Sequence, residues 1–213
     1  MPEGLIVRFI FLLVSLLATA WAQDYKVESV SGTLSGLPAA YSSALQTQGY
    51  RVTGPNGAWC EIWFRNSVPT GAKPTDDAIV FPIPQGALVG VLRFPSDGSD
   101  RRGQTIKAGV YTMRYSDFPV DGSHQGVAPQ RDFLLLTPIA NDADPSATPG
   151  FDQLVQMSTK ASGTPHPAVF SIEKPGATTF PSITTEGDTP DQVLNVKIGD
   201  LQLAMIVVGK AQN

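Results

Sequence analysis

The sequence predicts a mostly β fold: a single antiparallel β-sandwich or jelly-roll-like domain with one or two short helices. Apolar residues recur with a period of two through most of the chain, and clusters of Gly, Pro, Asn and Asp interrupt these runs at regular spacing. Strands do not alternate with long helices, which disfavours a parallel α/β architecture. Hydrophobic residues make up 42% of the 213 residues, enough for a packed core, and the 20 Gly and 18 Pro suit many turns.

The first 22 residues have the features of a secretory signal peptide. Arg8 lies in a short n-region, residues 9–20 form a largely apolar run, and Ala20-Trp21-Ala22 is a small-x-small cleavage site. The run has about a dozen residues, whereas a membrane-spanning helix needs about 20. The sequence therefore predicts a signal peptide over residues 1–22, one β-rich domain over residues 23–213, and no membrane span after cleavage.

The first half of the predicted domain contains strands joined by short turns. The clearest turn is Gly54-Pro55-Asn56-Gly57, which lies between two runs of alternating residues and predicts a hairpin. The expected elements are a short helix over 38–46 and strands over 26–30, 50–53, 58–65, 79–83, 88–94 and about 109–115.

The second half is expected to begin with a long loop over 116–130. The clearest helix covers 151–161, where apolar residues recur at the helical i, i+3, i+4 spacing. Gly199-Asp200 is a two-residue hairpin signal. The expected strands here cover 132–137, 167–173, 193–198 and 201–208, with loops over 140–149 and 175–191.

Charge and cysteine content limit the possible functions. The formal net charge is −4, whereas a general nucleic-acid binder has a strongly basic domain, so nucleic acid is not expected as a partner. The single cysteine, Cys60, alternates with Ile62 and Phe64. This pattern favours a small buried hydrophobe over a catalytic thiol, which would need a nearby His or a helix N-terminus.

The densest polar cluster of the sequence covers residues 114–132 and contains two of the three candidate metal ligands. Asp121 and His124 lie in a loop bracketed by glycines, and His166 is the second of only two histidines. These three side chains can bind zinc or iron if the fold brings them together, although their spacing matches no HxxxH, HxH or CxxC pattern. The interpretation that the residues favour is a loop held by Asp and His hydrogen bonds to the backbone.

Three further residues of this cluster have two interpretations. Arg131 and Asp132 open an apolar strand, and Arg114 is expected to pair with Asp132 or Asp121 across the sheet. The favoured interpretation is a set of structural ion pairs at the end of a buried strand. The alternative is a clamp for an anion or a carboxylate, which Arg binds in bidentate geometry.

Two tryptophans form the last candidate site. Trp59, Glu61, Trp63 and Arg65 are expected to share one face of a strand. Two aromatic rings beside a carboxylate can form a platform for a sugar. The favoured alternative is a strand covered on both faces, with both tryptophans buried.

Several segments resemble a family of uncharacterised exported bacterial proteins, over roughly residues 59–172. The segments are Arg102-Gly103-Gln104-Thr105-Ile106, Gly109-Val110-Tyr111-Thr112-Met113-Arg114-Tyr115, Asp121-Gly122-Ser123-His124-Gln125-Gly126, Arg131-Asp132-Phe133-Leu134-Leu135 and Ser162-Gly163-Thr164-Pro165-His166-Pro167. The resemblance implies export and an all-β fold, and it assigns no activity and no catalytic residue.

The sequence favours a non-catalytic binding or interaction module, located in the periplasm or outside the cell, for a small molecule, a glycan or an envelope protein. The first alternative is a metal-dependent enzyme with zinc or iron on Asp121, His124 and His166 and with Asp132 or Glu61 as base. The second alternative is a structural component of the envelope. The candidate ligand-binding residues are Arg114, Asp121, His124, Arg131, Asp132, His166, Trp59 and Trp63.

Overall fold

Strands dominate the computed structural model, which describes residues 25–73, 81–118, 131–186 and 191–210. The helices are α1 (Ala39–Ala44), the 3-10 helix η1 (Ile139–Asn141) and α2 (Phe151–Ser162). The strands are β1 (Lys26–Ser31), β2 (Gln48–Gly54), β3 (Gly57–Phe64), β4 (Leu88–Phe94), β5 (Gly98–Ser99), β6 (Thr105–Ile106), β7 (Gly109–Asp117), β8 (Asp132–Pro138), β9 (Val169–Glu173), β10 (Ser182–Glu186), β11 (Asp191–Ile198) and β12 (Leu201–Val208).

Ten of these strands form one antiparallel sheet in the order β1-β2-β3-β4-β7-β8-β9-β12-β11-β10. The two edge strands, β1 and β10, come within 8 Å of one another between Cα atoms, so the sheet curls until it is nearly closed. The short strands β5 and β6 pair separately. The mostly β, sandwich-like or jelly-roll-like class predicted from the sequence is confirmed.

The main core lies inside the curled sheet, because alternate residues of each strand point inwards. On β3 these are Cys60, Ile62 and Phe64, all fully buried, as the alternation predicted. They pack in one cluster with side chains of β4, β7, β8, β9, β11 and β12. Burial raises the pKa of the Cys60 thiol, which makes it a poor nucleophile.

Two helical segments cover the outer face of the sheet. Leu154 of α2 packs against Phe133 and Leu135 of β8, which explains the apolar stripe of that helix. Tyr41 of α1 packs against Trp63 of β3 in a separate small cluster. The helix predicted over 151–161 is confirmed to within one residue at its C-terminal end.

Two sequence predictions about strands were wrong. Residues 81–83 belong to no strand, although Phe81 and Ile83 are buried; residues 79 and 80 lie outside the described part of the chain. Strand β10 lies within the predicted loop over 175–191 and pairs with β11. Its sequence, Ser-Ile-Thr-Thr-Glu, has one large apolar residue, so it lacks the alternation that marks a strand.

None of the helices in the described part of the chain has the length and apolar character of a transmembrane segment.

The predicted signal peptide, residues 1–22, lies outside the described residues.

Candidate functional site

The Arg114 side chain on β7 is fully buried, and each of its five N–H groups donates to a group of the protein. Nε donates to Asp142 Oδ2 at 2.6 Å. Nη2 donates one N–H to Asp142 Oδ1 at 2.8 Å and the other to the Asp144 carbonyl at 2.6 Å. Nη1 donates to the carbonyls of Gly86 at 2.8 Å and Ala147 at 2.5 Å. Arg114 is therefore a structural clamp whose donors are already used, and it is not placed to bind an anion.

The partner of Arg114 differs from the one predicted. The sequence suggested Asp132 or Asp121; the carboxylate is that of Asp142, in the segment after η1, and Asp121 lies outside the described residues. Asp142 also accepts from Thr112 Oγ1 at 2.7 Å, and its backbone carbonyl accepts from Tyr41 OH at 3.0 Å. These contacts tie the 142–147 segment to the outer face of the sheet.

Asp132 and Arg131 also bind groups of the protein. Buried Asp132 accepts from the Phe81 backbone N–H at 3.0 Å and from Tyr115 OH at 2.8 Å. Burial and the hydrogen bond to this carboxylate raise the pKa of Tyr115. Arg131 Nε donates to the Phe118 carbonyl at 2.6 Å. The two side chains thus hold residues 81 and 118 at the end of β8.

Two of the three residues predicted to bind a metal lie outside the described residues. His166 is exposed in the turn after α2, where its backbone N–H donates to Thr164 Oγ1 at 3.1 Å. Asp121 and His124 lie outside the described part of the chain, so the zinc or iron site stays a prediction. Among the residues that the structure does describe, no three His, Cys, Asp or Glu side chains are grouped to hold a metal ion.

The two tryptophans do not share a face, because a β-bulge interrupts β3. Val52 of β2 pairs with Cys60, but Thr53 pairs with Ala58, which leaves Trp59 as an extra residue. Trp63 is 3% exposed on the outer face. Trp59 instead packs against the inner core. The prediction that both rings lie on one face was wrong, and the structure forms no two-tryptophan platform.

Glu61, between the tryptophans, belongs to a row of alternating charges on four neighbouring strands. Glu28, Arg51, Glu61 and Arg93 are direct cross-strand partners in register. Arg51 Nη1 lies 3.1 Å from Glu28 Oε1, and Arg51 Nη2 lies 2.8 Å from Glu61 Oε1. Arg93 Nη2 contacts Glu61 Oε2. Both oxygens of the buried Glu61 carboxylate are therefore neutralised by arginines.

Trp59 lines a cavity of about 250 Å³ at the end of the β2–β3 hairpin, which we call the hairpin pocket. The indole Nε1 donates to the Val207 carbonyl of β12 at 2.9 Å, and the ring lies edge-on to Phe94 with centroids 5.7 Å apart. These two contacts fix the ring and leave it half-buried. The pocket is lined by Tyr25, Gly54, Pro55, Asn56, Gly57, Ala58, Trp59, Ser96 and Asp97.

Tyr25 forms the second aromatic wall of the hairpin pocket. Its ring lies directly on Gly54, where a Cβ atom would be 2.4 Å from Tyr25 Cε1. The glycine in β2 is thus required for the close approach of the ring. Burial raises the pKa of the Tyr25 phenol.

Asp97 supplies a carboxylate to the same pocket. Its Oδ2 accepts from Lys107 Nζ at 2.7 Å, and its Oδ1 accepts from the Ala108 backbone N–H at 3.0 Å. The hydrogen bonds from Lys107 and then Ala108 hold the pKa of Asp97 below its usual range. Asp97 is thus a fixed anion at the rim.

A second cavity, of about 400 Å³, lies between the 141–149 segment and α2, and we call it the loop–helix pocket. It is lined by Asn141, Asp142, Ala143, Asp144, Ala147, Thr148, Pro149, Gln153 and Met157. None of these lining residues is aromatic, and Asp142 is already bound to Arg114. The hairpin pocket, with two rings beside polar groups, is the better candidate.

No family model, curated protein or solved structure matches this chain. The resemblance to an exported bacterial family therefore stays a prediction, and the functional argument rests on the geometry of the pocket.

Trp59 was predicted from the sequence as a candidate site residue, whereas the residues around it in the hairpin pocket were not. Tyr25, Asn56 and Asp97 come from three separate segments, and no pattern within a segment joins them. One usable signal was Gly54 inside a strand, since an interior glycine often marks a close approach. Nothing in the sequence indicated which group makes that approach.

Proposed function

We propose that the protein is an exported, non-catalytic binding module whose hairpin pocket holds a small ligand with an apolar ring face. The observation that carries the proposal is the fixed, half-buried Trp59 ring in a cavity that also contains Tyr25. Ligand sites are typically concave, with aromatic walls and a few polar groups that orient the ligand. Asn56, Ser96 and Asp97 supply such polar groups here.

Fixation of the rings supports binding because ordered side chains lose little further entropy when a ligand arrives. Trp59 is held by Phe94 and Val207, and Tyr25 is held against Gly54. Export is supported by the predicted signal peptide over residues 1–22, and it places the module in the periplasm or outside the cell. The partner is then a small molecule or a glycan of the envelope or its surroundings.

The test is a thermal-shift screen of the purified protein against monosaccharides, oligosaccharides, amino acids and nucleosides. A ligand at 100 times its dissociation constant stabilises the native state by about 2.7 kcal/mol, which raises Tm by several degrees for a chain of this size. We expect at least one compound to produce such a rise. If none of them raises Tm, the proposal is wrong.

Two variants assign the rise to a pocket. Tyr25→Ala removes an aromatic wall of the hairpin pocket, and we expect it to abolish the rise in Tm. Asn141→Ala alters an exposed residue of the loop–helix pocket and should leave the rise intact. A rise that survives Tyr25→Ala and disappears with Asn141→Ala would move the binding site to the loop–helix pocket.

A further inference from the structure

The polar groups of the hairpin pocket indicate which class of ligand it takes. The Trp59 N–H is used by the Val207 carbonyl, so this residue offers the ligand only its ring. Together with the Tyr25 ring it makes an apolar wall, which suits the C–H face of a sugar ring. The volume of about 250 Å³ is below the range of drug-sized pockets, roughly 300–1,000 Å³, and suits a single ring.

Asp97 carries the one formal charge among the residues that line the pocket. An ionised carboxylate only accepts hydrogen bonds, and each of its oxygens can accept more than one. Lys107 occupies one position on Oδ2 and Ala108 one on Oδ1, which leaves acceptor capacity on a side chain that is 48% exposed. Hydroxyl groups of a ligand can use this capacity, whereas a second carboxylate or a phosphate is repelled.

We infer that the hairpin pocket selects a neutral sugar over an acidic one, and that Asp97 is the residue that determines this specificity. The inference rests on the proposed function, since it names the ligand class of the same pocket. Asn56 and Ser96 add uncharged groups that can both donate to and accept from hydroxyls. Lys107 lies 2.7 Å from Asp97 but is not among the residues that line the pocket, so the charged group that faces a ligand there is the carboxylate.

The experiment is a titration of tryptophan fluorescence with matched pairs of probes: glucose with glucuronate, galactose with galacturonate, and mannose with mannuronate. Repulsion between the Asp97 carboxylate and the carboxylate of a uronate weakens binding of the acid, and the paired Lys107 ammonium offsets only part of this repulsion. We therefore expect the neutral member of at least one pair to bind roughly tenfold more tightly than its acid, or better still.

Two variants test the role of Asp97. Asp97→Asn removes the carboxylate and leaves Lys107 without its counter-charge, so the preference for the neutral sugar should fall by tenfold or reverse. Lys107→Met removes the cation and keeps the carboxylate, so the preference should persist or grow. A preference that Asp97→Asn leaves unchanged would overturn the assignment of Asp97.

The outcomes separate this inference from the proposed function. A uronate that binds as tightly as its neutral partner, with the binding lost in Tyr25→Ala, would overturn the neutral-sugar inference and keep the binding module. If none of the six sugars binds but a compound of another class raises Tm, the neutral-sugar inference is overturned and the binding module is kept. The absence of any binding in both experiments would overturn both.

Discussion

Arg114 joins three segments that are far apart along the chain. Its guanidinium holds Gly86 in the turn before β4 and Asp142, Asp144 and Ala147 in the segment after η1. A buried charge of this kind is stable only while its partners are present. The free energy that its removal costs is therefore dominated by the Asp142 carboxylate that would be left buried and unpaired.

We expect Arg114→Met to lower the free energy of unfolding by about 3–5 kcal/mol. The measurement is urea denaturation, with Lys197→Met as the control, because Lys197 is exposed and its ammonium group lies 4.9 Å from the centre of the Phe180 ring. The control should change stability by less than about 1 kcal/mol. Equal unfolding midpoints for the two variants would show that the clamp contributes nothing special.

The sequence predicted several buried residues correctly and could not predict their polar partners. Cys60, Ile62 and Phe64 followed from alternation alone, since period-two burial is a local property of a strand. The partner of Arg114 lies 28 residues away in an irregular segment, where no periodicity operates. Arg114 was thus found as a polar candidate, while its role was visible only in three dimensions.

At the scale of elements, short turns made the hairpins predictable. Gly54 and Gly57 pair across Pro55-Asn56, and Ile198 pairs with Leu201 across Gly199-Asp200, as both turn sequences indicated. The bulge at Trp59 was not predictable in the same way, because an extra residue leaves no mark on a sequence with large side chains on both faces of the strand. That single residue decides whether Trp59 lies beside Trp63 or in the hairpin pocket.

The turn before β4 and the segment before α2 touch at Gly86. This residue has φ of +77°, and a Cβ atom there would lie 2.3 Å from the Pro149 carbonyl oxygen. Gly103 has nearly the same φ, +80°, with nothing within 4 Å of the Cβ position. Comparing a substitution at Gly86 with the same substitution at Gly103 therefore separates the effect of backbone strain from the effect of close packing between two elements.

We expect Gly103→Ala to destabilise the protein by about 1–2 kcal/mol through the left-handed backbone alone. Gly86→Ala should cost at least about 1 kcal/mol more, because Pro149 has to move as well. Thermal and urea unfolding of the two variants measure the difference. Equal losses would mean that the contact between the turn and the 148–149 segment relaxes freely.

At the scale of the whole molecule, one sheet and one core connect β2 to β12. The order of the sheet places β4 next to β7 and β9 next to β12, so strands distant in sequence share the same interior. The sequence predicted the class and most strands of this sheet. It could not predict the strand order, which depends on long-range pairing rather than on local pattern.

Because the core is shared, we expect the described part of the chain to unfold in one cooperative step. In protein that lacks residues 1–22, and with them Trp21, tryptophan fluorescence reports on Trp59 and Trp63. It should give the same urea midpoint as far-UV circular dichroism, which reports on the strands. Separate midpoints would show that the hairpin pocket or the β9–β12 region unfolds independently of the rest.

The hydrogen bond from Trp59 to Val207 spans 148 residues of sequence. When a ribosome has made Trp59, the group that fixes its ring has still to be synthesised. A nascent chain therefore cannot possess a finished pocket before β12 has been translated and paired. If the chain crosses a membrane unfolded, the pocket that we propose as a binding site is completed only on the far side.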